Sequence, residues 1–478
     1  MSNIWGHYHK DISLLQAPGD GKAMGYSGGG WISRKEGRIL ERKKKLVVFS
    51  ADAMVHEDIE YLSTLPNFKK YLAGGCMVKR VSSVYPTITY PCHTTMISGV
   101  WPDKHGVAGN IRFAPGQEPM PWKWSYDEVL WKEDIFTAAK KAGYTTGSVF
   151  WPMTGNHPCI DYLIDEYWAR SPEHDTPREA WRQMGSRMGT DEAMLAIAEK
   201  YTGNNSVKTD PAIDQVIVGC ACDIIRRYKP DVMFLHPTNL DAYRHHTGLF
   251  NDKILEGIRE TDQWIGQVME AVRDAGQLEE TNLVLTSDHG QMDIKRIMNL
   301  NVVLADHGLI DRNEDGTFNR WDAWCLSGGM SALVYLRNPD DREIYDKTYG
   351  ILCKMAEEGI YGISQVFTTE EAREKYHLSG PFSFVVESDD FSSFGEGINH
   401  PIGANFDLTD YRLGRATHGY LPFKGPQPVF VAKGPDFNEN VVLETGRLID
   451  EAPTYAKLLG VELPGADGRA IEEFLRRS

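Results

Sequence analysis

Short, continuously apolar runs recur along the chain: LVVFS at 46–50, TTGSVF at 145–150, DVMFLH at 231–236, NLVLTS at 282–287, SALVYL at 331–336 and PVFVAKG at 428–434. Apolar runs of this length, without polar alternation, mark strands covered on both faces, as in a parallel sheet. Between them the apolar positions take a helical period. Ile254, Ile258, Ile265, Val268, Met269 and Val272 form one stripe that stops at Gly276. Strands alternating with helices predict an α/β fold with a mainly parallel central sheet flanked by helices. The rhythm fails in two places. Residues 1–40 are polar and glycine-rich, which predicts an arm that packs on a domain rather than forming one. Residues 301–410 carry stretches such as NPDDRE and ESDDFSSFGEG, which predict an insertion or cap over the sheet edge. Residues 41–300 and 411–478 would then form the main α/β domain.

Composition narrows the class. With 41% hydrophobic and 25% charged residues over 478 positions, the chain reads as an ordinary globular enzyme. A formal charge of −16 argues against wrapping duplex nucleic acid, which needs a basic face. It leaves room for a small phosphorylated substrate wherever local cations reverse the field. The seven cysteines are scattered without a CxxC pair, so no zinc ribbon or thioredoxin-type site is predicted. The first residues show no basic segment leading into an apolar one, and no run of about 18 apolar residues could span a bilayer. The expectation is a protein of the reducing cytoplasm with no membrane partner; the sequence leaves its oligomeric state open.

Chemistry collects beyond the carboxyl ends of strands in open α/β sheets. Here those ends repeatedly supply Asp and His: Asp52 after LVVFSA, Asp241 and His245 after DVMFLHPTNL, Asp288 and His289 after NLVLTS. Each alone reads as a helix cap, a turn or a solvated pair. Together they offer the two side chains that best bind a divalent cation. The densest segment is VYPTITYPCHTTMISGVWPDKHGVAGN at 84–110. Pro91 favours a helix start, so Thr89 stands at or just before a helix N-terminus, where exposed amides favour an anion. Alone, Thr89 is a cap; beside a metal, its hydroxyl can become a nucleophile.

These motifs, in this order, resemble the type I phosphodiesterase/nucleotide pyrophosphatase family of the alkaline phosphatase superfamily. The matching pieces are ADAM with Asp52, PTITYPCH with Thr89, GVWPDKHGVAGN with Asn110, LDAYRH with Asp241 and His245, TSDHGQ with Asp288 and His289, and ATHGYLP with His418. FWPMTG at 150–155 and the closing LIDEAPTYAKLLGVELPGADGR add to the likeness, which runs from about residue 45 to 469. The resemblance implies an alkaline-phosphatase-like fold and two divalent metal ions, typically zinc, with manganese as the other candidate. Asp241, His245 and His418 would hold one ion; Asp52, Asp288, His289 and the Thr89 oxygen would hold the other. Thr89 would attack phosphorus and form a phosphothreonine intermediate, while Asn110 and the Thr89 amide hold a non-bridging oxygen. The substrate would be a phosphodiester or phosphoanhydride, with nucleotides among the candidates.

Departures from the family pattern touch substrate choice. Cys92 stands where the family has Asn, and Arg244 where Gly commonly precedes the ligand His. Tyr90 replaces a Phe that stacks on nucleobases; it is either a substrate contact or an ordinary core aromatic. Arg244, beside a ligand, could turn toward the phosphate and favour a monoester. His93 and His105 read as structural, and the DxxxH spacing selects His245 over His246. Two alternatives stay open: hydrolysis of phosphonates or phosphomonoesters on the same scaffold, and a non-catalytic binding protein. The second would be marked by lost ligands, and all seven positions are filled.

Overall fold

The computed structural model describes residues 43–117, 120–123, 125–166, 177–202 and 210–477, with a two-residue antiparallel pair at Arg34–Lys35 and Arg38–Ile39. The rest of the arm expected over 1–40 lies outside the described residues.

The elements that position the site are, in chain order, β1 (Lys45–Ser50), β2 (Cys76–Ser82), α1 (Thr89–Ser98), β3 (Thr146–Val149), β4 (Tyr162–Ile164), α2 (Ala212–Tyr228), β5 (Val232–Leu235), α3 (Asn239–Thr247), α4 (Asp252–Asp274) and β6 (Thr281–Thr286). There follow β7 (Ala323–Ser327), β8 (Ser331–Leu336), α5 (Arg342–Glu358), β9 (Ile363–Thr368), β10 (Phe384–Ser388), β11 (Phe430–Lys433), β12 (Val442–Arg447) and α6 (Glu451–Leu459). The central sheet has eight strands in the order β12-β2-β11-β6-β1-β5-β3-β4. Every pairing is parallel except the two made by β11. This is the alkaline-phosphatase-like architecture, a large, mostly parallel sheet between helices.

The apolar runs are continuous because both faces are covered. Along β1, Val47 and Phe49 enter one core with the α2 and α4 side chains, while Leu46 and Val48 enter another with those of α1 and α6. β5 divides the same way, Met233 and Leu235 against Val232 and Phe234. α4 starts where Asn251 caps the amides of Lys253 and Ile254, buries the predicted stripe, and stops at Gly276, whose φ of +74° suits glycine.

Two apolar runs sit differently from the expectation of parallel strands. PVFVAKG becomes β11, antiparallel to both neighbours. SALVYL becomes β8, inside a separate antiparallel sheet of order β7-β8-β10-β9. An apolar run reports burial on two faces and says nothing of strand direction. β8 is covered twice over: Ala332, Val334 and Leu336 enter a core with Leu352 and Met355 of α5, and Leu333 packs with Tyr85 and Leu421.

Candidate active site

β1, β5 and β6 run parallel, so their carboxyl ends share one edge of the sheet. That edge receives Asp52 just past β1, and Asp288 and His289 just past β6. α3 follows β5 and brings Asp241 and His245 onto one face, one turn apart, with His245 Nε2 3.0 Å from Asp241 Oδ2. His418 arrives on the segment after the short strand at Ala416–Thr417, its Nε2 3.9 Å from Asp241 Oδ1. The rings of His289 and His418 lie 4.1 Å apart.

Thr89 opens α1, and Ile88 occupies the cap position without a side-chain bond. The threonine hydroxyl is therefore not spent on capping. It lies 3.2 Å from His289 Nε2, which is also 3.2 Å from Asp288 Oδ2 and 3.7 Å from Asp52 Oδ1. In the first turn of α1, Pro91 has no N–H and the Tyr90 amide donates to Asn110 Oδ1 at 2.9 Å. The Thr89 amide and the Asn110 side-chain NH2 are what the helix end presents to an anion.

The donor set fits divalent cations. Ligand atoms of Asp241, His245 and His418 lie within 4.8 Å of one another, as do those of Asp52, Asp241 and His289. Asp241 thus borders both groups. Asp288 stands at the margin, with Oδ1 accepting from the Ala53 amide at 3.2 Å. Apart from the carboxylate–imidazole approaches just given, Asp52 Oδ1, Asp288 Oδ2 and His245 Nε2 are buried with no hydrogen-bond partner. Buried polar atoms are rarely left so, and His245 and Asp52 each belong to one of the two ligand groups. His245 Nδ1 donates to the Ala416 carbonyl at 2.7 Å, which leaves Nε2 with its lone pair free as a ligand.

The electrostatics agree. Burial, then the Asp241 and Asp288 charges, drive the Asp52 carboxyl well above the usual carboxylate range. Burial would raise Asp241 too, but His245, whose own pKa Asp241 raises in turn, holds it well below that range. Burial, reinforced by His289, keeps His418 neutral. Carboxylates and imidazoles crowded about one buried rim are what a cation relieves.

Behind the rim lie two histidines that tie the ligands down. His93 Nδ1 donates to the Thr89 carbonyl at 2.9 Å, and its Nε2 is 3.1 Å from His236 Nδ1. His236 Nε2 lies 3.2 Å from Asp52 Oδ2. Burial lowers His236 to about 4, so both rings are neutral props at pH 7. His105 bonds Thr95 and the Val107 amide, a structural role as expected. His246 is exposed and contacts the Leu408 carbonyl.

Two substrate contacts expected from the sequence are corrected by the geometry. Arg244 is fully buried with its terminal nitrogens engaged: NH2 on both Asp58 oxygens at 2.7 and 2.8 Å, and NH1 on the Ala53 carbonyl at 2.5 Å. A guanidinium so occupied does not turn to phosphate. Tyr90 is also buried, edge to face with Trp122 at 5.8 Å in a cluster with Val107, Tyr126, Val129 and Met153. It offers no open face to a nucleobase. Cys92 bonds Ser83, whose hydroxyl donates to the Asp288 carbonyl at 2.6 Å, so this departure buttresses a ligand.

Sequence reasoning missed Gln291, Tyr411 and Lys123. The Gln291 amide donates to Asp241 Oδ1 at 2.5 Å. Tyr411 stacks on His418 at 5.3 Å and 13°. Lys123 lines the cleft that also holds Asn110. Gln291 could have been found by its adjacency to SDHG; the other two carry no sequence signal.

Fold and site together define a class: an alkaline-phosphatase-like hydrolase with an Asp/His-rich rim. Comparison with known proteins narrows it. The profile of the type I phosphodiesterase / nucleotide pyrophosphatase family matches residues 46–420. The chain belongs to that family, whose members hydrolyse phosphoric ester or anhydride bonds. It is 23% identical over 429 residues to human ectonucleotide pyrophosphatase/phosphodiesterase family member 5, covering 88% of this chain and 75% of that one. Venom phosphodiesterase 2 of Crotalus adamanteus is 22% identical over 410 residues, covering 82% of this chain and 42% of the venom protein. The solved structure of the murine family member 5 superposes with a TM-score of 0.61 at 18% identity, covering 91% of this chain and all of that one.

Proposed function

We propose that the protein is a metal-dependent phosphodiesterase or nucleotide pyrophosphatase working through a phosphothreonine at Thr89. The observation that carries this reading is the Thr89 hydroxyl itself, at the amino end of α1 and 3.2 Å from His289 Nε2, beside Asp and His atoms without hydrogen-bond partners. Asp241, His245 and His418 would hold one cation, and Asp52, Asp288, His289 and Thr89 the other; zinc suits this N/O set best. When bound, such cations lower the pKa of a coordinated hydroxyl and offset charge developing on phosphorus. Thr89 gives up its proton, and its oxygen bonds to phosphorus as the bond to the leaving oxygen breaks. That oxygen departs with the electron pair. Water then bonds to phosphorus, the Thr89 oxygen leaves, and the hydroxyl regains a proton. Throughout, the Asn110 amide and the Thr89 N–H donate to a non-bridging oxygen.

Those two donors are neutral, which suits a singly charged diester over a doubly charged monoester. The locked Arg244 removes the guanidinium that could have reversed this preference. A nucleotide as one arm is supported by the solved complex of an inactive murine family member 5 with AMP. For a nucleotide p-nitrophenyl diester, kcat/KM should exceed that for p-nitrophenyl phosphate by at least about tenfold, ~1.4 kcal/mol. A preference for the monoester or for phosphonoacetate would transfer the assignment to the other branch of the superfamily. All seven cysteines are free thiols, which supports the expected reducing compartment, although the relatives' names include "ecto" and "venom". Cell fractionation decides between the two. Among the described residues, no helix is long and apolar enough to cross a membrane.

A further inference from the structure

Beside the rim a narrow cleft runs between the stretch leading into α1 and strands β7 and β8. Its walls include Ile88, Asn110, Lys123, Leu333, Tyr335 and Tyr411. It begins at the reaction centre, because Ile88 precedes Thr89 and Tyr411 stacks on His418.

Lys123 is placed there by backbone geometry. Ile111 and Trp122 form an antiparallel bridge, with the Lys123 amide donating to the Asn110 carbonyl at 2.8 Å and the Arg112 amide to the Pro121 carbonyl at 2.7 Å. Asn110 and Lys123 are therefore directly opposite, and cross-strand partners project to the same face. Lys123 is half-buried, and among the described residues its ammonium has no ion-pair or hydrogen-bond partner. Every other wall residue named is neutral. A half-buried, unpaired ammonium among aromatic and aliphatic walls is costly unless an anion arrives.

We infer that Lys123 determines specificity by binding a second negative charge on the phosphorus substituent seated in this cleft. The inference rests on the proposed function and names its substrate class: phosphodiesters or anhydrides with one arm that is largely apolar or aromatic and bears a further phosphate or carboxylate. Burial lowers the Lys123 pKa, with only Glu128 and Arg112 as charged influences. None of the rim Asp and His residues lines this cleft, so the ammonium addresses the arm.

The test uses zinc-supplemented protein and three aryl p-nitrophenyl phosphates whose second arm is 4-carbamoylphenyl, 4-carboxyphenyl or 4-phosphonophenyl. Products are read by chromatography, so departure of either arm counts. The parent should favour at least one anionic ester over the neutral one by about tenfold or more in kcat/KM. Lys123→Gln should bring that ratio near one, and Lys123→Arg should keep it. The larger of the two anionic ratios identifies the carboxylate or the phosphate as the preferred partner. Each ratio is taken within one protein, so partial misfolding of a variant cancels. Hydrolysis of the neutral ester with a parent ratio near one, or a ratio unchanged in Lys123→Gln, overturns the role of Lys123 and leaves the proposed function standing. Hydrolysis of none of the three overturns both.

Discussion

The metal rim and the cleft beside it are neighbours built in different ways. Most of the rim is assembled from three adjacent parallel strands, so Asp52, Asp288, His289 and, through the first turns of α3, Asp241 and His245 are delivered by sheet register. Three of them are also tied from behind, His245 by the Ala416 carbonyl, Asp288 by Ala53 and Asp52 by His236. The cleft has no such common frame. Its walls come from the stretch before α1, the bridge at Asn110 and Lys123, strand β8 and Tyr411. Chemistry held by a sheet edge tolerates little change, whereas a cleft between segments can change partners without touching the reaction.

The sharpest way to break this contrast is Asp241→Asn. Asp241 borders both candidate ligand groups, so the change should deplete bound metal and lower kcat by at least about a thousandfold, ~4 kcal/mol of transition-state stabilisation. Elemental analysis with steady-state kinetics checks both. Retained activity with full metal would detach the rim from the reaction.

Arg244→Ala probes the boundary between the two regions from the other side. It strands Asp58 in the interior and should cost about 3–5 kcal/mol of stability, read by urea denaturation. The ratio of diester to monoester turnover should stay where the parent has it. A changed ratio would return Arg244 to the substrate.

A smaller effect concerns the sheet beneath the rim. Burial pushes the Glu451 carboxyl up to about 8, even though Thr286 and Tyr455 donate to it at 2.7 and 2.8 Å. The folded protein then holds a proton that the unfolded chain releases near the ordinary glutamate value. The stability this contributes is complete below that value and is lost as pH rises through about 8. Between those limits Glu451 should tilt stability downward by up to about 1.4 kcal/mol per pH unit. Glu451→Gln should flatten that slope in urea titrations run across the window.

The same contrast explains what the sequence revealed. Strand ends followed by Asp or His are readable because a buried strand leaves an unmistakable apolar run, and the polar residue after it stands out. The direction of PVFVAKG was not readable, since β11 needs the same apolar faces whichever way it runs. Tyr90 and Arg244 were visible as motif positions, but their orientation depends on Trp122 and Asp58, 32 residues downstream of one and 186 upstream of the other. Lys123 had no signal at all. Nothing in PWKWSY says that residue 123 will lie opposite Asn110; only the bridge between the two segments does.

The central claim is that Thr89 carries the phosphoryl group. Zinc-loaded parent protein and Thr89→Ala are each mixed with a nucleotide p-nitrophenyl diester, quenched in acid during turnover, digested and analysed by mass spectrometry. The account predicts a phosphoryl adduct on the peptide containing Thr89 in the parent, and neither adduct nor turnover in Thr89→Ala, which should keep its fold and most of its metal. Turnover in Thr89→Ala at the parent's rate would contradict it.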